Sequence, residues 1–454
     1  MGRRLALQGA AALALSARSG AVWAASASPF IAADAGFSGE AALAMALAGL
    51  GGAISVETVF ELAAVDPSRG EGAGAEGLVR AAEALGTRAS LWIAEVKGEA
   101  PRELWSAIRV LMSRSDALLI ELRGGSFVFV RRLAGRRLWV DDPLTSGGRL
   151  LRRRELARRW PVPAGGGRQV RAVTIRAPLG IDAEPPRNGR IAGLRCAKRA
   201  RSLRQELAGR GWPVEVVAPF VLTGDLTPQR LHDYAGSLVR IALDRLRVDF
   251  FARDPSEPVV AYLFADDKAY RRNAIELFGD EPETPYGYFD PQRRVLVMNM
   301  ATGGGTMIHE MVHPLLRANF PAAKPWLDEG LASLFEQSRD REGHLVGMPN
   351  WRLPGLHHAL RTAQAPSFAE LLVSDAATFY GERRGTNYAL ARYLLYYFQE
   401  RGVLPQLWRE LVAEGASEDG GLRVIEATAR RLGHHDLVTF RRAWESFTLA
   451  LHYP

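Results

Sequence analysis

The sequence predicts an α+β protein made of two folded domains. Its 454 residues are enough for two or three domains, and 47% hydrophobic with 24% charged residues is typical of chains that bury sizeable cores. In the first part of the chain helical patterns precede strands, and in the second a few strands precede a long helical stretch. This separation of helices from strands is characteristic of α+β architecture.

The chain begins with the layout of a bacterial export signal over residues 1–28. Arg3 and Arg4 form a basic start, residues 5–17 are mostly apolar, and small residues follow at 25–27. The arginine pair loosely resembles a twin-arginine signal, although the rest of that motif is absent. We therefore expect a periplasmic or extracellular protein, with a cytoplasmic amphipathic start as the alternative. No later stretch has the ~18 consecutive apolar residues of a membrane span, so none is expected in the mature chain.

The first domain is predicted over residues 29–160. Helical periodicity comes first, and short β-rich runs bounded by turn residues follow. The predicted helices cover 39–50, 56–64, 77–85 and 102–113, and the predicted strands cover 117–122, 126–132 and 136–142. A turn at Ala134 and Gly135 joins the last two strands, which indicates an antiparallel sheet.

Residues 161–190 are predicted to be a linker, because Pro and Gly are dense there, with room for one short strand at 171–177. The second domain follows over 191–454. Its predicted elements are a helix to about 209, a strand at 213–222, a helix at 227–247, a strand at 258–264, a helix at 266–278 capped by Asp266, and a hairpin at 286–300. Nearly everything after Thr306 is predicted to be helical, so this domain combines a small sheet with a mostly helical second half.

Charge and cysteine content exclude some classes of function. The formal net charge is +8, and much of the excess is arginine in the runs at 131–137 and 150–159. Such runs can contact nucleic acid or anionic lipid, but no nucleic-acid motif or base-stacking aromatic pattern accompanies them. We therefore expect a solvated arginine-rich face and no nucleic-acid partner. The single cysteine, Cys196, excludes an internal disulfide and a cysteine-based metal cluster.

The segment HEMVH carries the chemistry. On a helix over 306–318, His309 and His313 lie one turn apart on the same face, so both imidazoles can converge on one metal ion. Glu310 follows the first histidine, where it can reach a metal-bound water as a general base without itself being a ligand. The alternative is a chance pattern on an ordinary helix.

The surroundings of this segment favour a catalytic metal. Glycines at 303–305 interrupt the preceding strand, and Thr306 is the predicted N-cap. A second helix starts near Trp326 and presents Glu329. Two histidines and one carboxylate leave the fourth position of a single Zn²⁺ open for water, as catalytic zinc requires, and the pKa of that water falls towards ~7.

HEMVH followed by WLDEGLASLFE resembles the gluzincin metallopeptidases, the group that includes thermolysin and aminopeptidase N. The resemblance covers about residues 215–450 and implies a zincin-like fold with Glu329 as the third zinc ligand. Two features depart from the family pattern. Only fifteen residues separate His313 from Glu329, and Asp328 stands where aminopeptidases usually carry Asn. Both indicate a bacterial branch with a shorter connection rather than a true aminopeptidase.

The resemblance also implies a tyrosine that stabilises the oxyanion. Tyr388, before the apolar helix that follows the zinc glutamate, falls at that place, and Tyr380 is a weaker candidate. The alternative is that Tyr388, like Tyr393, Tyr396 and Tyr397, is a core or boundary aromatic residue. Three later histidines, each more typical of a surface position, are candidates to protonate the leaving amine; they are His344, His357 and His358.

Three further groups are predicted around the metal. Asp328, Ser333 and Glu336 are candidates to orient the zinc histidines, and Glu336 is favoured because it lies seven residues after Glu329 on the same helix face. The strand at 294–300 runs into the metal helix, and in zincins such an edge strand pairs with the substrate backbone. Substrate contacts are therefore predicted for the residues that end this strand, namely Asn299, Met300 and Ala301.

The first domain resembles the papain-like peptidases of the bacteriocin-processing, double-glycine family over about residues 37–92 and its later strands. The family's cysteine position is Ser38 here, and its histidine position is Ser126; only Asp142 keeps the family's residue type. A serine without a neighbouring base is a poor nucleophile. The resemblance therefore implies an inactive papain-like α+β module that holds peptides or partners, or only packs against the zinc domain.

Together these patterns predict an exported zinc metallopeptidase that acts on a peptide or protein. One alternative is a non-catalytic peptide- or cell-wall-binding protein with a vestigial zinc site, although such a protein has no use for Glu310. Another is hydrolysis of a cell-wall peptide cross-link. The sequence predicts no oligomeric state.

Overall fold

The computed structural model describes residues 28–96, 101–164, 167–177, 193–279 and 281–453. All but the last residue of the predicted export signal lies outside this part of the chain, as does half of the predicted linker. The described residues form two compact units, the first made of 28–177 with 193–201 and the second of 202–453. The fold class is α+β, as predicted. No helix among the described residues is both long and apolar enough to cross a membrane.

The first unit combines short helices with a seven-stranded sheet. Its helices are α1 Ser38–Gly49, α2 Val56–Leu62, α3 Ala75–Ala84, α4 Pro101–Arg114 and α5 Arg153–Arg159, and α6 Gly193–Glu206 begins in this unit. Its strands are β1 Arg88–Glu95, β2 Ala117–Leu122, β3 Ser126–Ala134, β4 Arg137–Asp141, β5 Gly148–Arg152, β6 Val162–Ala164 and β7 Gly167–Arg176. The predicted helices and the three predicted strands of this region are confirmed to within a few residues.

Strand β7 corrects the predicted linker. Residues 169–176 pair with β1 and residues 171–175 with β2, in the antiparallel order β1-β7-β2-β3-β4-β5, and β6 also pairs with the start of β7. A linker can therefore begin only after Arg176. The flanking Pro and Gly residues hid this strand, because turn residues bound interior strands as well as linkers. The sequence analysis also missed β1, β5 and α5.

The sheet of the first unit is buried on both faces, which explains the uninterrupted apolar run of β2. Leu119 packs with α1 and α3 on one face, whereas Leu118 and Ile120 pack with α4 and α5 on the other. Alternate side chains of a strand point to opposite faces. A strand covered on both sides therefore reads as continuously hydrophobic.

The second unit contains a five-stranded sheet and most of the helices. Its first strands are β8 Val214–Val217, β9 Phe220–Gly224, β10 Val259–Phe264, β11 Gly287–Asp290 and β12 Val295–Asn299. Their order is β11-β12-β10-β9-β8, with β9, β10 and β12 parallel and the two outer strands antiparallel to their neighbours. The single strand predicted at 213–222 is wrong. The chain reverses at Ala218 and Pro219, so β8 and β9 form a hairpin.

The helical elements of the second unit follow. They are α7 Pro228–Asp233, a π-helical segment Tyr234–Arg240, α8 Ile241–Asp249, α9 Asp267–Phe278, α10 Gly304–Asn319, α11 Pro325–Glu336, α12 Leu353–Arg361, α13 Phe368–Val373, α14 Ala376–Phe379, α15 Arg384–Glu400, α16 Leu404–Glu414, α17 Leu422–Arg431 and α18 Leu437–Ala450. A hairpin of β13 Ser338–Arg341 and β14 His344–Gly347 interrupts them. The predicted cap is confirmed, since the Asp266 carboxylate accepts the N–H of Ala269 at 2.8 Å.

Helix α11 is fixed by close packing on both sides of its acidic motif. Gly330 lies where an added Cβ would be 3.2 Å from Cβ of Ala391, so the glycine lets α11 approach α15 closely. The buried indole of Trp326 donates to the carbonyl of Gly420 at 3.0 Å. These contacts hold the intervening Glu329 against α10.

Candidate metal centre

Helix α10 begins two residues earlier than predicted. Gly303 is its N-cap with φ +101°, and the backbone is already helical at Gly304, so Thr306 is not the cap. A positive φ of this kind favours glycine. The helix continues through Pro314 to Asn319, within one residue of its predicted end.

The two histidines of α10 face each other across one helical turn. His309 and His313 are each 8% exposed, and their ring centroids are 5.2 Å apart. This is the juxtaposition that the four-residue spacing predicts. Two imidazole nitrogens therefore point into one buried region.

Glu329 of α11 completes a group of three donors. Its Oε2 lies 3.3 Å from Nε2 of His309 and 3.9 Å from Nε2 of His313. One donor atom from each of the three residues lies within 4.8 Å of the other two. Within the described part of the chain no fourth His, Cys, Asp or Glu joins this group, so the donor set is open on one side.

The geometry fits a metal ion. Oε2 of Glu329 is buried and has no hydrogen-bond partner among the described residues, whereas Oε1 accepts the hydroxyl of Tyr380 at 2.8 Å. An orphaned buried carboxylate oxygen is costly unless a cation compensates it. Two imidazoles and one carboxylate are also the donors that divalent transition metals prefer.

Asp328 contacts the second histidine from outside the group. Its Oδ1 lies 2.7 Å from Nδ1 of His313. A carboxylate in this place fixes the ring and its tautomer. Burial lowers the pKa of His313, but the carboxylates of Asp328, Glu329 and Glu310 outweigh burial and raise that pKa to about 10.

The pKa values of the two glutamates of the centre are shifted in opposite directions. Burial raises the pKa of Glu329, but the charges of His313 and His309 and the hydroxyl of Tyr380 outweigh it and lower the pKa to about 2. Burial also acts on Glu310, and there it prevails, so the pKa of Glu310 is raised. Oε2 of Glu310 lies 3.8 Å from Nε2 of His313 and remains outside the three-donor group. The carboxylate of Glu329 is thus held in its ionised form, whereas the carboxyl group of Glu310 binds a proton more readily than a free one.

The centre lies in a cleft of ≈ 790 Å³. Its walls are rich in aromatic side chains, and three arginines accompany them. The aromatic residues are Tyr286, Tyr288, Phe289, Trp351, Tyr380 and Tyr388, and the arginines are Arg317, Arg352 and Arg384.

Both candidate tyrosines line this cleft. Burial, and then the charge of Glu329, raise the pKa of Tyr388 and of Tyr380 above the ordinary range, so both hydroxyls stay protonated donors. The hydroxyl of Tyr380 bonds Glu329 directly, and the ring of Tyr388 lies 5.1 Å from the guanidinium carbon of Arg352. The structure therefore gives Tyr380 a more specific contact than the sequence analysis assigned to it.

Glu336 does not contact a histidine, contrary to the prediction. It pairs with Arg352 at 3.0 Å and accepts the indole N–H of Trp351 at 3.3 Å. Seven residues after Glu329 is two turns, or ~10.5 Å, along α11. Glu336 therefore lies beyond the three metal-binding residues. The residue that orients His313 is Asp328, which directly precedes Glu329.

The predicted substrate-binding strand is also corrected. Strand β12 has partners on both sides and is not an edge strand; β11 is the edge. Asn299 and Met300 are buried, with the Asn299 amide donating to the carbonyl of Pro285 at 2.8 Å. Ala301 is exposed, but none of these three lines the cleft, whose wall is formed by 283–289. Hydrophobic patterning identified the strands but could not order them.

The three later histidines also lie away from the cleft lining. His344 pairs with Asp249 at 2.9 Å, and Nε2 of His357 lies 2.8 Å from the carbonyl of Thr448. His358 is on the same helix, α12, and does not line the cleft. The sequence analysis missed Arg317, Trp351 and Arg352; the signal for Arg317 was its position four residues after His313.

In the first unit, the residues at the three catalytic positions of the papain-like family, Ser38, Ser126 and Asp142, are not joined into a catalytic triad. Ser38 begins α1 and is 2% exposed, and its hydroxyl accepts the backbone N–H of Phe127, next to Ser126, at 2.9 Å. Asp142 lies near Arg149 and Arg159 instead, at 3.6 and 3.8 Å. No hydrogen bond joins Ser38, Ser126 and Asp142 in the structure as described.

Comparisons with known proteins give little. No protein-family model matches the chain, and no curated protein matches it. Among solved structures the chain is similar to a double glycine motif protease from an AMS/PCAT transporter, crystallised with its leader peptide. That likeness has 20% identity and a TM-score of 0.25, and it covers 33% of this chain and 92% of the other. At that TM-score it carries no argument about function.

Proposed function

We propose that the second unit is a zinc-dependent metallopeptidase. The observation that carries the proposal is the convergence of His309, His313 and Glu329, with the non-ligand carboxylate of Glu310 beside them and a large cleft in front. A purely structural metal would have no use for Glu310, and structural zinc usually has four protein ligands. The open donor set therefore supports a catalytic site over the vestigial alternative.

Each residue has a defined task in this proposal. His309, His313 and Glu329 hold the ion, which when bound supplies Lewis acidity for attack by water on a carbonyl. Glu310 accepts the proton of the attacking water and passes it to the leaving amine, a task that suits a carboxylate whose pKa burial raises. Tyr388 or Tyr380 donates a hydrogen bond to the oxygen that becomes negative, because both hydroxyls remain protonated.

The substrate of the proposal is a peptide in extended conformation. The free edge of β11 forms one wall of the cleft, and an edge strand offers unpaired backbone N–H and C=O groups to a peptide. A protein or a cell-wall peptide would both satisfy this geometry. Export of the protein is part of the proposal and rests on the sequence of residues 1–28 alone.

The proposal is tested by zinc content and hydrolysis of quenched peptides and casein, for the wild type beside Glu310→Gln. We expect both proteins to bind one zinc and the variant to be slower by about three orders of magnitude, because it keeps the ligands and lacks the base. Glu418→Gln, an exposed position outside the cleft, should behave as wild type. If both proteins bind zinc and neither cleaves a broad peptide library, the binding-protein alternative takes its place.

A further inference from the structure

The metal-facing side of α10 continues beyond His313 to Arg317. Positions 309, 313 and 317 follow at four-residue intervals, so they lie along one side of the helix, about 6 Å apart along its axis. All three line the cleft. The two histidines are buried, whereas Arg317 is exposed. This row of three residues therefore leads from the metal centre towards solvent, and its last member is the positively charged Arg317.

Arg317 has no anionic partner among the described residues. Its guanidinium carbon lies 5.6 Å from the ring centroid of Phe289, on the edge strand β11. A guanidinium that lies over an aromatic ring is oriented by it and keeps its N–H groups available in the plane of the guanidinium itself. Arg352, also in the cleft, differs because it already forms an ion pair with Glu336 at 3.0 Å. Glu283, the exposed acidic residue of the cleft wall, makes no ion pair with Arg317.

The position of Arg317 relates it to the reaction centre as well as to β11. Its charge partly offsets the rise in the pKa of Tyr380 that burial and Glu329 cause, so the two side chains lie within electrostatic reach. Tyr380 in turn bonds Glu329. Arg384 is a third arginine of the cleft, but it begins α15 and lies on neither α10 nor β11. A peptide that lies along β11 therefore passes Phe289 and Arg317 together.

We propose that Arg317 binds a carboxylate of the peptide in the cleft and makes that carboxylate a specificity determinant. The inference rests on the proposed function, since it assumes a peptide occupant. A guanidinium binds a carboxylate through two parallel N–H···O bonds, a match that an amide or hydroxyl cannot reproduce. The carboxylate can come from an Asp or Glu side chain or from the C-terminus of the peptide.

The test measures binding of octapeptides to the zinc-loaded, full-length Glu310→Gln protein by fluorescence anisotropy. The probes are fluorescein-labelled, carry Glu in place of Gln at one position at a time, and have a free or amidated C-terminus. We expect a carboxylate-bearing peptide to bind about tenfold more tightly than its neutral counterpart. The pair that shows the difference identifies the source as a side chain or the terminus.

A second substitution assigns that preference to Arg317. Arg317→Gln in the same background should remove it, and Arg317→Lys should keep part of it, because the charge remains and the planar fork is lost. Arg361→Gln removes the same charge at an exposed position outside the cleft and should leave the preference intact.

Two results would overturn the inference: equal binding of charged and neutral peptides, or a preference that survives Arg317→Gln. Cleavage of the same octapeptides by the wild type separates this failure from a failure of the proposed function. If the wild type cuts them without regard to carboxylates, only the inference is lost. If the peptides are neither bound nor cut, both are lost.

Discussion

At the scale of single residues, His313 couples metal binding to pH. In the metal-free chain its pKa is about 10, because Asp328, Glu329 and Glu310 outweigh the effect of burial. A metal ligand must be neutral, so the proton on His313 has to leave when the ion binds. Glu329, with a pKa of about 2, is already ionised and contributes no proton above pH 4.

We therefore predict that zinc affinity rises with pH, by about tenfold per unit for each proton released, between roughly pH 6 and 8. Competition with a chelating dye, corrected for the dye's own protonation, measures it. Asp328→Asn should weaken zinc about 10- to 100-fold and flatten the dependence, because the carboxylate that most raises the pKa of His313 is gone. A zinc affinity that is constant over this range would contradict the prediction.

The two tyrosines of the cleft can be separated by their hydroxyls. Tyr380→Phe removes the hydrogen bond to Glu329 and should lower zinc affinity about tenfold or more, because that bond orients a ligand. Tyr388→Phe should weaken zinc less than Tyr380→Phe does, because Tyr388 also interacts with Glu329 but less directly, and it should lower kcat about 100-fold, as expected of a hydroxyl that stabilises the oxyanion. Each variant is the control for the other. A fall in kcat for Tyr380→Phe at unchanged zinc affinity would exchange the two roles.

At the scale of elements, the start of α10 depends on close approach to the end of α11. A Cβ added to Gly305 would lie 2.0 Å from the carbonyl oxygen of Glu336. Backbone atoms cannot move aside as a flexible side chain can, so the helices would have to separate. Because α10 carries His309 and α11 carries Glu329, this contact fixes the distance between metal ligands.

Gly305→Ala should therefore lower the free energy of unfolding by about 1–3 kcal/mol and weaken zinc binding at the same time. Urea denaturation and a zinc titration measure the two effects. Gly236→Ala is the matched control, since an added Cβ there meets nothing within 4 Å; it should be neutral or stabilising by up to ~1 kcal/mol. Equal behaviour of the two variants would show that the helices have room to adjust.

At the scale of the whole molecule, each of the two units has hydrophobic clusters of its own. One large cluster contains the residues around α10, α11 and α15, and separate clusters cover the two faces of the first sheet. All three proposed zinc ligands belong to the second unit. A ligand that binds only the folded form of one unit stabilises that unit.

We predict two thermal transitions, of which zinc raises the midpoint of only one. At 100 times the dissociation constant, zinc should add ~2.7 kcal/mol to the stability of the second unit. Calorimetry with EDTA and with excess zinc measures the shift, and a His309→Ala, His313→Ala double variant should show none. If zinc moved both transitions of the wild type equally, the units would not unfold independently.

The sequence by itself determined the local features of this protein. The α+β class, the strand at 117–122 and the cap at Asp266 all follow from periodicity and capping, which act over a few residues. The pairing of His309 with His313 follows equally from the four-residue repeat of a helix. Glu329 was found through a motif, because nothing local relates it to the histidines.

Only the tertiary structure decided how distant segments meet. Strand order made β11 the edge in place of β12, and it placed residues 167–176 inside the first sheet. The same packing set Asp328 rather than Glu336 against His313 and gave Tyr380 its bond to Glu329. It also placed Arg317 beside Phe289, without an ion-pair partner among the residues that the structure describes. Such contacts join residues far apart in the chain. Their partners depend on how whole elements pack, and hydrophobic patterning records which face is buried but not what covers it.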